Sequence, residues 1–277
     1  MKQLIFVLTL SLASIVWGQN YPTVLLAPVV GHRGFSQLAP ENTLSAFAEN
    51  VKVGAQGCEM DIYLTKDGKL VCFHDGSLKR IARDAQGNPV KGVIADYDLA
   101  TLRSFDFGAW KNAQYAGEKI PTIEEALDLL AQSDCAPVIE IKVGNIEPQV
   151  IKAIRDRKLE KRTVIIAFNQ NVVANCRKLA PEICCAWLCT QNKSETTAEY
   201  TQRILKTLKN SGTDMVDMLF SQLTPEMFKE LTDAGVSVMV WTCDNPQNMK
   251  KLYDMGVQSI TTNVPDKALE VWNKETK

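Results

Sequence analysis

The chain has 277 residues, with 31 basic and 32 acidic side chains. That balance offers no electrostatic footprint for nucleic acid or an anionic membrane surface. The length suits one domain of α/β-barrel size or two smaller ones.

The N-terminus reads as a secretory signal peptide over residues 1–18. Lys2 supplies a positive start, and 4–17 is an apolar run shorter than the ~20 residues that span a bilayer. Val16 and Gly18 precede a cut at Gln19. The protein is therefore expected to be exported, periplasmic or secreted, with a mature domain over 19–277 and no stable membrane insertion. All eight cysteines lie in that mature part, and none forms a C-x-x-C pair. Cys58, Cys72, Cys184, Cys185, Cys189 and Cys243 sit in apolar strand-like runs, which predicts buried thiols with at most one disulfide.

A first strand, 29–32, runs into Gly31-His32-Arg33-Gly34, and Pro40-Glu41-Asn42-Thr43 then opens a helix over 44–53. The second strand, 57–61, carries Glu59 and Asp61 two apart and so on one face. Asp67-Gly68 reads as a two-residue type I′ hairpin turn. That register places His74 opposite Asp61, the two positions being equidistant from the turn. Residues 75–118 have no sustained period and read as a small insertion. Thr122, with Glu125 three residues on, caps a helix over 122–132.

From there strands and helices alternate. Apolar β-rich runs at 137–142, 163–168, 184–189, 215–220, 237–242 and 259–262 are separated by helical patterns at 146–157, 172–179, 197–209, 225–234 and 246–255. Gly235 and Gly256 stand where helix C-caps belong. The count reaches eight parallel strands, which specifies the α/β class and a (β/α)8 TIM barrel with a β-hairpin and small insertion after the second strand. No G-x-G-x-x-G follows the first strand, which argues against a dinucleotide fold.

A barrel places chemistry at the C-terminal ends of its strands. His32 and Arg33 end the first, Glu59 and Asp61 the second, Glu140 and Lys142 the third, and Trp241 the seventh. Three converging carboxylates are oxygen ligands for a hard divalent cation, Mg²⁺ or Ca²⁺. Two histidines can act as general acid and general base near neutral pH. Arginine and lysine beside a cation suit a phosphate.

The stretches "GHRGFSQLAPENT", "CEMDIYLTKDGKLVCFHD", "IPTIEEAL", "VIEIK" and "VMVWTCDNPQNMKKLYDMGVQSITTNVPD" occur in the order of the motifs of the glycerophosphodiester phosphodiesterase family, which the mature chain resembles over nearly its whole length. The resemblance implies metal-assisted hydrolysis of a small-molecule glycerophosphodiester to an alcohol and glycerol phosphate. It implies that His32 and His74 are the catalytic acid/base pair and that Glu59, Asp61 and Glu140 bind the metal. Arg33 and Lys142 would face the phosphate, Trp241 would line the head-group pocket, and Glu41 would lie close to the cluster. Attack by a neighbouring glycerol hydroxyl would give a cyclic phosphate that is then hydrolysed. Many relatives have Asp-Gly at Gln258-Ser259 and Asp at Asn263, so the last strand departs from the family pattern. The alternatives are a phospholipase D-type lyase that stops at the cyclic phosphate and a non-catalytic binding barrel.

Overall fold

Alternating apolar runs pair in parallel wherever a helix carries the chain back to the same end of the sheet. In a computed structural model that describes residues 27–275, eight strands do so: β1 (Val29–Gly31), β2 (Gly57–Leu64), β4 (Ala136–Ile141), β5 (Val164–Ala167), β6 (Cys184–Cys189), β7 (Met215–Leu219), β8 (Ser237–Trp241) and β9 (Ser259–Thr262). Each lies parallel to its neighbours, and β1 pairs with both β2 and β9, which closes the barrel. The signal-peptide reading falls on residues outside those described. No helix among the described residues is long and apolar enough to cross a membrane.

Strand alternation divides the side chains between two cores. Val30, Val138, Val164, Ile166, Ala186, Leu188, Met215 and Met239 fill the barrel interior. The outward set, among it Cys58, Met60, Ile139, Ile165, Cys185, Val216 and Ile260, packs against the helices. All eight cysteines are free thiols and all are buried.

The helices are α1 (Leu44–Lys52), α3 (Ile123–Ala131), α4 (Glu147–Asp156), α5 (Gln170–Leu179), α6 (Thr197–Ser211), α7 (Pro225–Asp233), α8 (Pro246–Met255) and α9 (Pro265–Glu275), together with a single turn, α2 (Leu99–Leu102). Thr122 and Glu125 form the expected capping box on α3. Gly256 caps α8 in the left-handed conformation. Helix α9 was not anticipated. Two residues separate it from β9 and it runs to the end of the described chain, so no loop signal announces it.

The hairpin register differs from the sequence reading by one residue. β3 (Leu70–Cys72) pairs antiparallel with β2 as Ile62↔Cys72, Tyr63↔Val71 and Leu64↔Leu70. The connection is the three-residue loop Lys66-Asp67-Gly68: Thr65 N–H bonds the Lys69 carbonyl at 2.9 Å, and the Gly68 N–H bonds the Thr65 carbonyl at 3.0 Å. Gly68 has φ +75°, whereas Asp67 is not in the left-handed region a type I′ turn needs at both positions. Asp67 instead accepts from the Thr65 hydroxyl at 2.6 Å. Phe73, not His74, therefore sits opposite Asp61, its N–H bonding the Asp61 carbonyl at 2.9 Å. His74 lies one residue past the ladder.

Beyond β3 the insertion builds its own core. Val71, Phe73, Leu78, Ile81, Ile94, Leu102, Phe107 and Ile120 cluster apart from the barrel interior, and Phe73 meets Phe107 edge to face at 6.2 Å.

Candidate active site

The turn after β1 is held tightly. A Cβ on Gly31 would fall 1.9 Å from the Asn50 side chain, and one on Gly34 would fall 2.6 Å from the Ala46 backbone. Gly34 also has φ +80°, so both positions exclude any other residue. The turn forces Arg33 to φ +57°, an uncommon conformation for a residue other than glycine. In return the Arg33 N–H donates to Glu59 Oε2 at 2.7 Å. The Pro-Glu-Asn-Thr stretch supplies three further fixings. Thr43 caps α1. Asn42, at φ +56°, donates to Asp61 Oδ2 at 2.7 Å and accepts from the Asp61 N–H at 3.1 Å. Glu41 accepts from the Arg33 guanidinium at 2.7 Å.

Glu59 and Asp61 point inward from β2, and Glu140 is the cross-strand neighbour of Asp61 on β4. One carboxylate oxygen from each lies within 4.8 Å of the others, and all three residues are buried. Lys142 Nζ stands 2.8 Å from Glu140 and 3.4 Å from Asp61, and Arg33 Nε is 3.5 Å from Asp61. Three acids thus face two cations. Burial, then Asp61 and Glu140, push Glu59 well above the usual carboxylate range. Burial and Asp61 raise Glu140 to about 7 against the pull of Lys142. Although burial opposes it, Lys142 and Arg33 hold Asp61 below that range. A buried trio of oxygen donors that is costly to ionise fits a divalent cation, which would supply the missing positive charge.

The two histidines are oriented through Nδ1. His32 Nδ1 lies 2.7 Å from Asn263 Oδ1. The amide is fixed by its other end, because Asn263 Nδ2 donates to Asp244 Oδ2 at 2.7 Å. Its oxygen therefore faces His32, His32 carries its proton on Nδ1, and Nε2 is left as an acceptor. Burial and Arg33 lower the His32 pKa to about 4, against the Asn263 bond. His74 Nδ1 meets Asp75 Oδ1 at 2.9 Å. Arg80 grips Asp75 through Nε at 2.6 Å and reaches Glu41 at 2.6 and 2.8 Å. Against burial, the Arg80 and His74 bonds keep Asp75 ionised, with its pKa at about 2. Arg80 comes from the insertion and rests over the Trp110 ring at 5.4 Å.

These groups surround a cavity of about 320 Å³ lined by His32, Arg33, Glu59, His74 and Glu140 together with Ile166, Phe168, Leu188, Asp217, Trp241, Thr242 and Thr261. Asp61 and Lys142 bear on it through Glu140 and Arg33. Trp241 donates its indole N–H to the Asp217 carbonyl at 3.3 Å and meets Phe168 edge to face at 5.7 Å. All eight residues singled out from the sequence thus gather at one barrel mouth. The sequence reading missed the supporting roles of Asn42, Asp75, Arg80, Asp244 and Asn263, and it also passed over Asp217, which lines the cavity without a side-chain partner on Oδ1. Asn263 stands out in the sequence only as a departure from the family pattern, and Asp217 only as a lone acid inside an apolar strand.

Comparison with known proteins gives the same picture. The Glycerophosphoryl diester phosphodiesterase family matches residues 32–267. A glycerophosphodiester phosphodiesterase of Caldanaerobacter subterraneus is 31% identical over 251 residues, covering 89% of this chain and 98% of that protein. A solved Oleispira antarctica phosphodiesterase, in complex with the product sn-glycerol-3-phosphate, is 26% identical with a TM-score of 0.78, covering 91% of this chain and 99% of that one. A glycerophosphodiester phosphodiesterase from Parabacteroides distasonis is 25% identical with a TM-score of 0.71, covering 94% and 100%. The chain belongs to the glycerophosphoryl diester phosphodiesterase family.

Proposed function

We propose that the protein is an exported, divalent-cation-dependent hydrolase that splits glycerophosphodiesters into an alcohol and glycerol phosphate, with His32 and His74 moving the protons. The observation that carries this reading is the cavity itself. Two histidines, each bonded through Nδ1 and so leaving Nε2 free, share it with a buried three-carboxylate cluster. The product-bound Oleispira neighbour supports glycerol phosphate as the product class.

Glu59, Asp61 and Glu140 would hold the cation, Mg²⁺ or Ca²⁺. Its contribution when bound is neutralisation of charge on the phosphoryl oxygens. Arg33 and Lys142, already locked onto the acid cluster, orient the phosphate and add positive charge. His32 is neutral at working pH and accepts the proton of the attacking glycerol hydroxyl on Nε2. The hydroxyl oxygen bonds to phosphorus, the bond to the leaving alcohol breaks, and His74 delivers a proton to that alcohol. Asp75 balances charge on the His74 ring. Hydrolysis of the resulting cyclic phosphate runs the roles in reverse: His74 takes a proton from water and His32 returns one to the glycerol oxygen.

The lyase reading shares the first half and stops at the cyclic phosphate. Phosphorus NMR of the reaction mixture separates the two: the proposal expects a linear glycerol phosphate as end product, and accumulation of a stable cyclic phosphate overturns it. No turnover of any glycerophosphodiester would favour the non-catalytic barrel. Export rests on the composition of residues 1–18, and N-terminal sequencing of the protein from culture medium or periplasm, expected to begin at Gln19, tests it.

A further inference from the structure

Asp217 is the one buried acid at the cavity that the chemistry above does not use. It points inward from the middle of β7, is 1% exposed, and lines the cavity. Its Oδ1 is buried with no hydrogen-bond partner. No cation among the described residues acts on it: burial and the nearby Glu140 carboxylate both push its pKa well up. A buried carboxyl left this way is costly, and its surroundings give no structural reason for it. The neighbouring lining is Ile166, Leu188 and the Phe168–Trp241 pair. The Trp241 indole N–H is already spent on the backbone carbonyl of Asp217, so the indole offers the cavity its ring and no donor. Apolar, aromatic walls around one unpaired acid match a small organic cation, for which the carboxylate supplies charge and an acceptor and the rings supply cation–π contact.

We infer that Asp217, with Trp241 and Phe168, forms a subsite for a protonated amine on the alcohol part of the diester. The inference rests on the diesterase reading and adds the class of head group. With the phosphate held by Arg33 and Lys142, the alcohol extends toward the β5–β8 wall, where its ammonium donates to Asp217 Oδ1.

The test compares two diesters that differ only at that end: glycerophosphoethanolamine, and the propyl diester in which a methyl replaces the ammonium. The quantity read is the ratio of their kcat/KM values in wild type, Asp217→Asn and Asp217→Leu. The expected result is a wild-type ratio of at least about tenfold in favour of the amine, falling toward unity in both variants. Both variants remove a buried acid whose Oδ1 has no partner, so thermal melting is expected to show folded barrels. A wild-type ratio near unity, or a ratio that survives both substitutions, overturns the subsite. An equal fall for both diesters also overturns it, since Asp217 would then serve the shared glycerol phosphate part. If neither diester is hydrolysed by wild type, it is the diesterase reading that fails, and amine binding measured by calorimetry with wild type and Asp217→Asn decides the subsite alone.

Discussion

The carboxamide of Asn263 decides which nitrogen of His32 carries the proton, and Asp244 decides which way the carboxamide faces. The bonded partner of His32 carries no charge, and burial with Arg33 outweighs the Asn263 bond and Asp61 to set the ring's pKa at about 4. As a base His32 must be unprotonated, so the acid limb of kcat/KM is expected near that value. Exchanging the pair, Asn263→Asp with Asp244→Asn, keeps both bonds but puts an anion on the ring. An opposite charge favours the protonated form and raises the pKa by about 1–3 units, so the acid limb should move toward neutrality; an unmoved limb argues against His32 as the base. Removing either histidine should lower kcat about 10²–10⁴-fold. A p-nitrophenyl leaving group needs no protonation, so it should rescue His74→Ala and not His32→Ala, and the opposite pattern would exchange the two roles. The gathering of the histidines and acids was legible in the sequence because their spacing puts them on or beside strand ends, which the closed barrel brings to one mouth. The roles of Asn263 and Arg80 were not, because His32 lies 231 residues from Asn263 and Glu41 lies 39 residues from Arg80, and only the folded barrel brings them together.

At the scale of elements, the insertion does more than decorate the barrel. Arg80 lies just past the hairpin and ties Asp75, and through it His74, to Glu41 and Arg33 in the loop after β1. Arg80→Ala should lower kcat about 10–100-fold, the usual effect of losing an outer partner of a site group, with the fold intact and Arg80→Lys restoring part of the loss. A change confined to KM would show that Arg80 touches substrate and does not position His74. The loop after β1 has little tolerance. Gly34→Ala meets both a positive φ and the Ala46 backbone, and should destabilise the protein by about 1–3 kcal/mol or more, read as a lower urea midpoint; an unchanged midpoint would refute the crowding argument. The element pattern was readable because each strand is a short apolar run and most helices carry caps. The hairpin register was misread by one residue, since Asp-Gly also closes a three-residue loop when the preceding threonine bonds the aspartate. The convergence of His74 on the acids survived because His74 lies past the end of the ladder, where strand alternation no longer dictates its direction.

For the molecule as a whole, eight parallel strands set every reactive side chain at one end of a closed barrel. The strand count carried that conclusion from the sequence, together with the rule that barrel chemistry sits at strand ends. Free of metal, the site holds three buried carboxylates against Arg33 and Lys142, with Glu59 and Glu140 both driven toward their protonated forms. A divalent cation relieves that cost in the folded state alone, so it should raise the melting temperature of chelator-treated protein, and by less in Glu59→Gln. The most direct measurement of the central claim is release of glycerol phosphate from glycerophosphodiesters by chelator-treated protein titrated with Mg²⁺ or Ca²⁺. The account predicts no release without the cation, recovery on adding it, and no recovery in Glu59→Gln or Glu140→Gln. Full activity in the metal-stripped protein would contradict it.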